Sequence, residues 1–231
     1  MKFDKPLSFG ILIKRYKRFL AEIKLDNGDI ITAHCANTGS MKTCKEPGWR
    51  VMVSDSLNPK RRLRFTFEMI HNLKCWIGIN TQLPNKLAKE AIENGTLKEL
   101  QGYTRILSEQ KYGQNSRIDL LLENETEKCY VEVKNVTLVE EGDYLFPDAV
   151  TSRGLKHLTE LLEMKNEGHR AVMLFVVQRS DGNIFRPAKE IDPDYSKKLR
   201  EVYEKGVEVL VYQANVSPDE IVLSHKLDFE L

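Results

Sequence analysis

Apolar and polar residues follow one rhythm up to about residue 80 of this chain and a different one beyond it. In the first stretch the apolar positions come in short runs separated by polar turns. Residues 9–19 and 20–25 mix β-branched and apolar side chains with Lys and Arg, and Asp26-Asn27-Gly28-Asp29 separates them from 30–33. Asn-Gly between alternating segments predicts a hairpin, because both turn positions accept a positive φ. Further strands are predicted over 49–54, 63–69 and 75–79, with a turn at Asn58-Pro59. No helical period intervenes. This many short strands predict a small five-stranded barrel of the OB type.

The second stretch alternates helix and strand. Pro84-Asn85 predict a helix over 86–94 that Gly95 ends. Strands are predicted over 104–111, 117–123 and 130–139. Ser152 is expected to cap a helix bearing Leu155, Leu158, Leu161 and Leu162, with Gly168 as its stop. Residues 171–177, the longest apolar run, read as a buried strand. Pro193 opens a third helix with Tyr195, Leu199, Val202 and Tyr203 along one side, and a strand follows over 207–212. Helices alternating with strands after a three-strand meander predict a mixed sheet flanked by helices. The expected class is α/β (α+β), with one domain over 1–80 and another over 81–231.

Charge sharpens that division. The 231 residues carry a net charge of only +1, yet residues 1–80 hold 15 Lys/Arg against 7 Asp/Glu and the remainder 20 against 27. A basic first half predicts nucleic-acid contact. Lys14, Tyr16 and Arg18 are spaced to share a strand face, and Lys60, Arg61, Arg62 and Arg64 form a second cluster. Cations beside an aromatic suit a groove that tracks phosphates and stacks bases, and they equally suit a solvated strand face. No apolar run has membrane-spanning length and no secretory signal develops, so a soluble cytoplasmic protein is expected. Cys35, Cys44, Cys75 and Cys129 are scattered, which argues against a disulfide framework. His34 with Cys35 and Cys44 matches no familiar zinc spacing, and 37–40 reads as a turn at the barrel rim.

The chemistry concentrates in Asp119, Glu132 and Lys134. In Tyr130-Val131-Glu132-Val133-Lys134 the strand period puts Glu132 and Lys134 on one face. Asp119 lies opposite Ile118 and Leu120 on the preceding strand. If those strands pair, two carboxylates meet at one sheet edge, a hard oxygen site suited to Mg²⁺ or Mn²⁺. Lys134 beside them can orient water or offset charge on a phosphate. A surface Glu–Lys pair is the plainer alternative. Glu90 is the candidate third carboxylate from the preceding helix, or simply a solvent-facing residue. Arg153 and Lys156, in the first turns of the helix after Pro147, are placed to meet a phosphate backbone, while His157 fits a packed or hydrogen-bonded role.

Ser116-Arg117-Ile118-Asp119-Leu120-Leu121-Leu122, Val131-Glu132-Val133-Lys134-Asn135-Val136-Thr137 and the segment Phe146-Pro147-Asp148-Ala149-Val150-Thr151-Ser152-Arg153-Gly154-Leu155-Lys156-His157-Leu158 resemble the sugar fermentation stimulation protein A family. His34-Cys35-Ala36-Asn37-Thr38-Gly39-Ser40-Met41 and Pro47-Gly48 resemble it too. The resemblance spans the whole chain. It implies an OB-like N-terminal domain, a C-terminal domain of the PD-(D/E)xK nuclease fold, and DNA binding. Asp119 then stands for the motif aspartate and Glu132 with Lys134 for the E-x-K pair, while Ile118 replaces the motif proline. Two functions follow as expectations: a metal-dependent nuclease acting on DNA, or a non-catalytic DNA-binding regulator of sugar (maltose-type) metabolism genes. RNA is the weaker target, and a homo-oligomer stays open.

Overall fold

The structure, a computed structural model, describes residues 1–3, 6–113 and 116–231. The first six strands are β1 (Ser8–Tyr16), β2 (Leu20–Leu25), β3 (Ile30–His34), β4 (Arg50–Asp55), β5 (Phe65–His71) and β6 (Trp76–Gly78). They pair in the order β3-β2-β1-β4-β5-β6. A parallel contact between β3 and β5, with Ala33 opposite Phe65 and His34 opposite Thr66, closes the first five into a barrel. Alternation fills its interior with Leu12, Ala21, Ile23, Ala33, Val51, Val53 and Phe67 and leaves the intervening residues outside. β1 stops at Tyr16 because Lys17 and Arg18 both take positive φ, 47° and 63°. Arg18 therefore leaves the face it was expected to share with Lys14 and Tyr16.

Beyond the barrel come α1 (Pro84–Glu93), β7 (Arg105–Tyr112), β8 (Ser116–Glu123), β9 (Lys128–Val136), β10 (Leu138–Glu140) and β11 (Asp143–Phe146). They are followed by α2 (Ser152–Asn166), β12 (Arg170–Val177), β13 (Ile184–Pro187), α3 (Pro193–Glu204), β14 (Glu208–Val216) and β15 (Ile221–Lys226). The main sheet runs β15-β14-β12-β9-β8-β7. β12 lies parallel to both β9 and β14, which is why Ala171–Val177 is buried throughout. α1 covers one face, packing Leu87, Ala91 and Ile92 near Leu120, Val131 and Leu174. α2 and α3 cover the other with Leu158, Leu161, Leu199 and Val202 against Met173 and Phe175. The barrel and the flanked mixed sheet are the architecture expected from the sequence. Among the described residues no helix is long and apolar enough to cross a membrane.

Several local expectations are corrected. The strand foreseen over 130–139 breaks at Thr137, and β10 joins β11 and β13 in a separate three-stranded sheet. Thr151, not Ser152, caps α2: its Oγ1 accepts from the Gly154 N–H at 3.0 Å. Asp192 caps α3 by accepting from Tyr195 N–H at 3.0 Å, and it also accepts from Thr151 N–H at 2.8 Å, so one carboxylate fixes both helix starts.

The barrel is fastened to the sheet by polar groups. Gly78 N–H donates to the Gln178 carbonyl at 2.9 Å. Arg179, 2% exposed, donates to Thr43 Oγ1 at 2.9 Å on the barrel side and to the Thr137 carbonyl, while Asp181 accepts from its other nitrogens at 2.6 and 2.7 Å. Asn72 at the β5–β6 turn donates to the same Asp181 at 2.6 Å. A buried guanidinium with every face occupied ties three segments into one junction.

Candidate metal and phosphate site

A cavity of about 350 Å³ lies where the barrel meets the edge of the main sheet. β8 and β9 make its floor. Their ladder reaches Leu120–Val131 and is not continued beyond that pair. There Asp119 takes the place of a ladder partner: its Oδ2 accepts from Val133 N–H at 2.8 Å, and its Oδ1 accepts from Asn85 Nδ2 at 2.7 Å. Asn85 comes from the first turn of α1.

Glu132 and Lys134 rise from one face of β9, as the period of two requires. Lys134 Nζ donates to Glu132 Oε1 at 2.6 Å. His157, reaching in from α2, meets the same oxygen through Nδ1 and lies 3.0 Å from Lys134 Nζ. Arg153, one turn earlier on the helix, donates through Nε to His157 Nε2 at 3.3 Å. The ring is thereby set between the Glu132 carboxylate and the Arg153 guanidinium. Glu132 is 1% exposed, and its second oxygen, Oε2, is buried with no partner among the described residues.

The two carboxylates are biased in opposite directions. Burial, then the charge of Glu132, raises Asp119 above the ordinary aspartate value, and the Val133, Lys134 and Asn85 contacts offset only part of this. Burial opposes charge on Glu132 too, but the His157 hydrogen bond and the Lys134 charge outweigh it and hold that carboxyl below the ordinary glutamate value.

The opposite wall belongs to the barrel. Residues 36–39, just past β3, line the cavity. Arg15 pins this loop by donating to the carbonyls of Arg18, Asn37 and Gly39 at 2.6, 2.9 and 3.0 Å, and Arg18 Nε donates to the Thr38 carbonyl at 2.8 Å. Asp148, in the segment before α2, closes the gap: its Oδ2 accepts from Met41 N–H at 3.0 Å, and its carboxylate lies so near Gly39 that any Cβ there would collide with it. The rim turn foreseen at 37–40 is thus a wall of the site.

Of the residues singled out from the sequence, Asp119, Glu132, Lys134 and Arg153 come together here. Glu90 does not. Five residues beyond Asn85, it points off the opposite side of α1, is 44% exposed, and pairs with the N-terminal ammonium of Met1 at 2.6 Å. Lys156 is exposed beside α2, with Nζ 3.5 Å from Glu160. Lys14 faces Glu22 at 3.4 Å and sits over the Tyr16 ring. Arg64 is held by both oxygens of Asp55, with Nε at 2.7 and 2.9 Å. Arg61 and Arg62 are exposed and line a second cavity, on the outer barrel face, with Lys17, Phe19 and His34. His157, expected to be packed or hydrogen-bonded, is so and also belongs to the site, while Asn85 at the predicted helix start, Asp148 and the Arg15-braced loop join it only through tertiary contacts. Cys35 and Cys44 are buried free thiols.

Comparison with known proteins agrees over the full length. The model of the SfsA N-terminal OB domain matches residues 13–79, and that of the sugar fermentation stimulation protein RE domain matches residues 82–220. The chain belongs to the sugar fermentation stimulation protein family. The homolog of Geotalea uraniireducens is 54% identical over 231 residues, covering 100% of both chains. That of Geobacter sulfurreducens is 56% identical over 227 residues, covering 98% of this chain and 97% of its own. The solved structure of Pyrococcus furiosus SfsA in complex with Ca²⁺ superposes with a TM-score of 0.91 at 28% identity, covering 100% of this chain and 98% of that one.

Proposed function

We propose that this chain is a cytoplasmic DNA-binding protein whose second half cleaves phosphodiester bonds with Mg²⁺ or Mn²⁺. The observation that carries this reading is Glu132, which lines the same cavity as Asp119 and whose Oε2 is a buried carboxylate oxygen without a partner among the described residues. Such an atom is costly unless a ligand satisfies it. Asp119, disfavoured as an anion by burial and by Glu132, gains from a cation at the same place. Among the described residues no three His, Cys, Asp or Glu side chains form a ready ligand group. That suits Mg²⁺ or Mn²⁺, which take one or two carboxylates and complete their shell with water and phosphate oxygens. The Pyrococcus relative was solved in complex with Ca²⁺, which supports the use of a hard divalent cation.

Asp119 and Glu132 would hold the cation. When bound, it polarises a phosphoryl oxygen and lowers the pKa of its water. Lys134, anchored on Glu132, presents its ammonium to the same space and offsets charge developing on the phosphate. His157 keeps the Glu132 carboxylate in one orientation, and Arg153 braces the His157 ring. The basic barrel, with Arg61 and Arg62 exposed, supplies salt-sensitive attraction for the polyanion.

The test incubates the purified chain with labelled DNA in Mg²⁺, in Mn²⁺ and in chelator, with Asp119→Asn and Lys134→Ala alongside. Metal-dependent cleavage lost in both variants is expected. Salt-sensitive binding without cleavage in all three proteins would make the chain a non-catalytic DNA-binding regulator.

A further inference from the structure

A third cavity, about 660 Å³, opens beside the start of α3, away from the barrel. Arg186 on β13 and Lys189 just after it line one side, and Lys197 and Arg200 on α3 line the other. The single acidic side chain among its lining residues is Glu230. Beyond residue 80 the chain carries more Asp and Glu than Lys and Arg, so four cations around one hollow reverse the local charge. Lys189 and Lys197 are exposed and have no carboxylate partner among the described residues. Glu230 belongs to a segment that runs alongside β13: Phe185 N–H donates to the Asp228 carbonyl at 3.1 Å, and Glu230 N–H donates to the Phe185 carbonyl at 3.0 Å. The Glu230 carboxylate accepts from Arg186 Nη1, while Arg186 Nε lies 2.7 Å from Asp143. An oxyanion of the chain itself therefore already sits on one of the four cations.

We propose that this cavity holds the DNA phosphates that flank the one seated in the Asp119–Glu132 cavity, and that Glu230 occupies part of their place when DNA is absent. The inference rests on the reading of that first cavity given above. The fold sets the two hollows side by side. Leu145 and Phe146 of β11 line the Asp119–Glu132 cavity, and their register partners on β13, Arg186 and Pro187, line this one. One strand spacing, about 4.8 Å, separates the two rows. The helices repeat the arrangement. Arg153 and Gly154 at the start of α2 border the first cavity, and Pro193 and Lys197 at the start of α3 border this one. Asp192 locks the two starts together through Thr151 N–H and Tyr195 N–H. A nucleic acid repeats its phosphates along its length, so a phosphate in the first recess brings its neighbours over the next hollow. Cations on both sides of that hollow suit a run of phosphates. Two of them are exposed lysines, which contact a backbone as point charges and read no base.

Binding and cutting separate in the experiment. Fluorescence anisotropy on the full chain, in chelator so that nothing is cleaved, follows a labelled DNA strand and its duplex through a salt series. Lys189→Ala combined with Lys197→Ala is expected to flatten the log–log salt slope by roughly 1.4 on the strand or roughly 1.8 on the duplex, the loss of two phosphate contacts. Lys165→Ala combined with Lys205→Ala removes the same charge at the far ends of α2 and α3, and should leave that slope unchanged. Glu230→Gln takes its anion off Arg186 and is expected to tighten binding by about threefold, the worth of one surface ion pair. Free phosphate offers the same chemistry as a DNA backbone, so calorimetry with inorganic phosphate runs alongside. An unchanged slope in the Lys189 and Lys197 variant, an equal loss in the control pair, or unchanged or weaker binding in Glu230→Gln would overturn the proposal. So would phosphate binding that the Lys189 and Lys197 variant abolishes while its DNA binding stays at the wild-type value. The expected binding results without cleavage in Mg²⁺ would leave the proposal standing and sink the nuclease reading alone.

Discussion

The cavity at Asp119 and the basic face of the barrel are both charged, but the charge is held in opposite ways. At the cavity the carboxylates are held by fixed partners, buried Glu132 between Lys134 and His157 and half-buried Asp119 between Asn85 and the β9 backbone. On the barrel Arg61 and Arg62 stand in solvent. Burial makes the first set specific and mutually dependent, so removing one member strands the rest. Exposure makes the second set additive and screened by salt. The proposed catalytic site and the proposed polyanion surface thus differ in how their charge is held.

The largest effect should come from breaking the buried side. Glu132→Ala leaves Lys134 and His157 without their shared anion, and denaturant unfolding is expected to show a loss of about 3–5 kcal/mol. Gly39→Ala should follow. Its methyl group collides with Asp148 where the two walls meet, so about 1–3 kcal/mol of stability should be lost, together with most cleavage, while DNA binding in chelator is kept. A third change sharpens the electrostatics. Asp119 is raised by burial and by Glu132, whereas Glu132 is lowered. Asp119, the carboxyl held above its ordinary value by burial and by Glu132, is expected to set the acid limb of the pH–rate profile. Asn85→Ala removes a hydrogen bond that favours the anion, so that limb should move to higher pH with the alkaline rate unchanged. The stability signs oppose each other. Ionising Asp119 costs stability as pH rises through its raised value, and the Glu132 contribution disappears as pH falls through its lowered one. The smallest effect should be at Glu90, whose partner is the N-terminal ammonium: Glu90→Gln is expected to leave cleavage and metal affinity, read by calorimetry, at wild-type values.

Those contrasts also explain what was legible in the sequence. That Asp119, Glu132 and Lys134 come together was legible because strand periodicity is local, even though Leu120–Leu122 and Val131–Val133 are buried without alternation. The helices were legible from Pro84, Pro193 and the spaced leucines of α2. Arg18 was misplaced because Lys17 and Arg18 turn at positive φ, a conformation normally signalled by Gly or Asn. Thr151 escaped notice because two adjacent hydroxyl residues both look like caps. Glu90 was chosen for its carboxylate, but helix geometry aims Asn85 at the sheet and Glu90 away. β10, β11 and β13 are three or four residues each, too short to show a period. His157 and Asp148 needed the packing of α2 and the barrel loop to acquire a role.

The contact between Gly39 and Asp148 bears on inheritance. The two family domains match separate stretches of chain, 13–79 and 82–220, as shuffled modules do. Yet a gene fragment carrying only the second would encode both carboxylates and the lysine and lack a wall of the cavity they face. A fragment carrying only the first would encode a loop shaped to lean on an absent aspartate. Neither is a self-sufficient gift to another protein. The cavity thus joins positions more than a hundred residues apart: a side chain added at 39 meets Asp148, and a change at 148 removes the acceptor of the Met41 N–H.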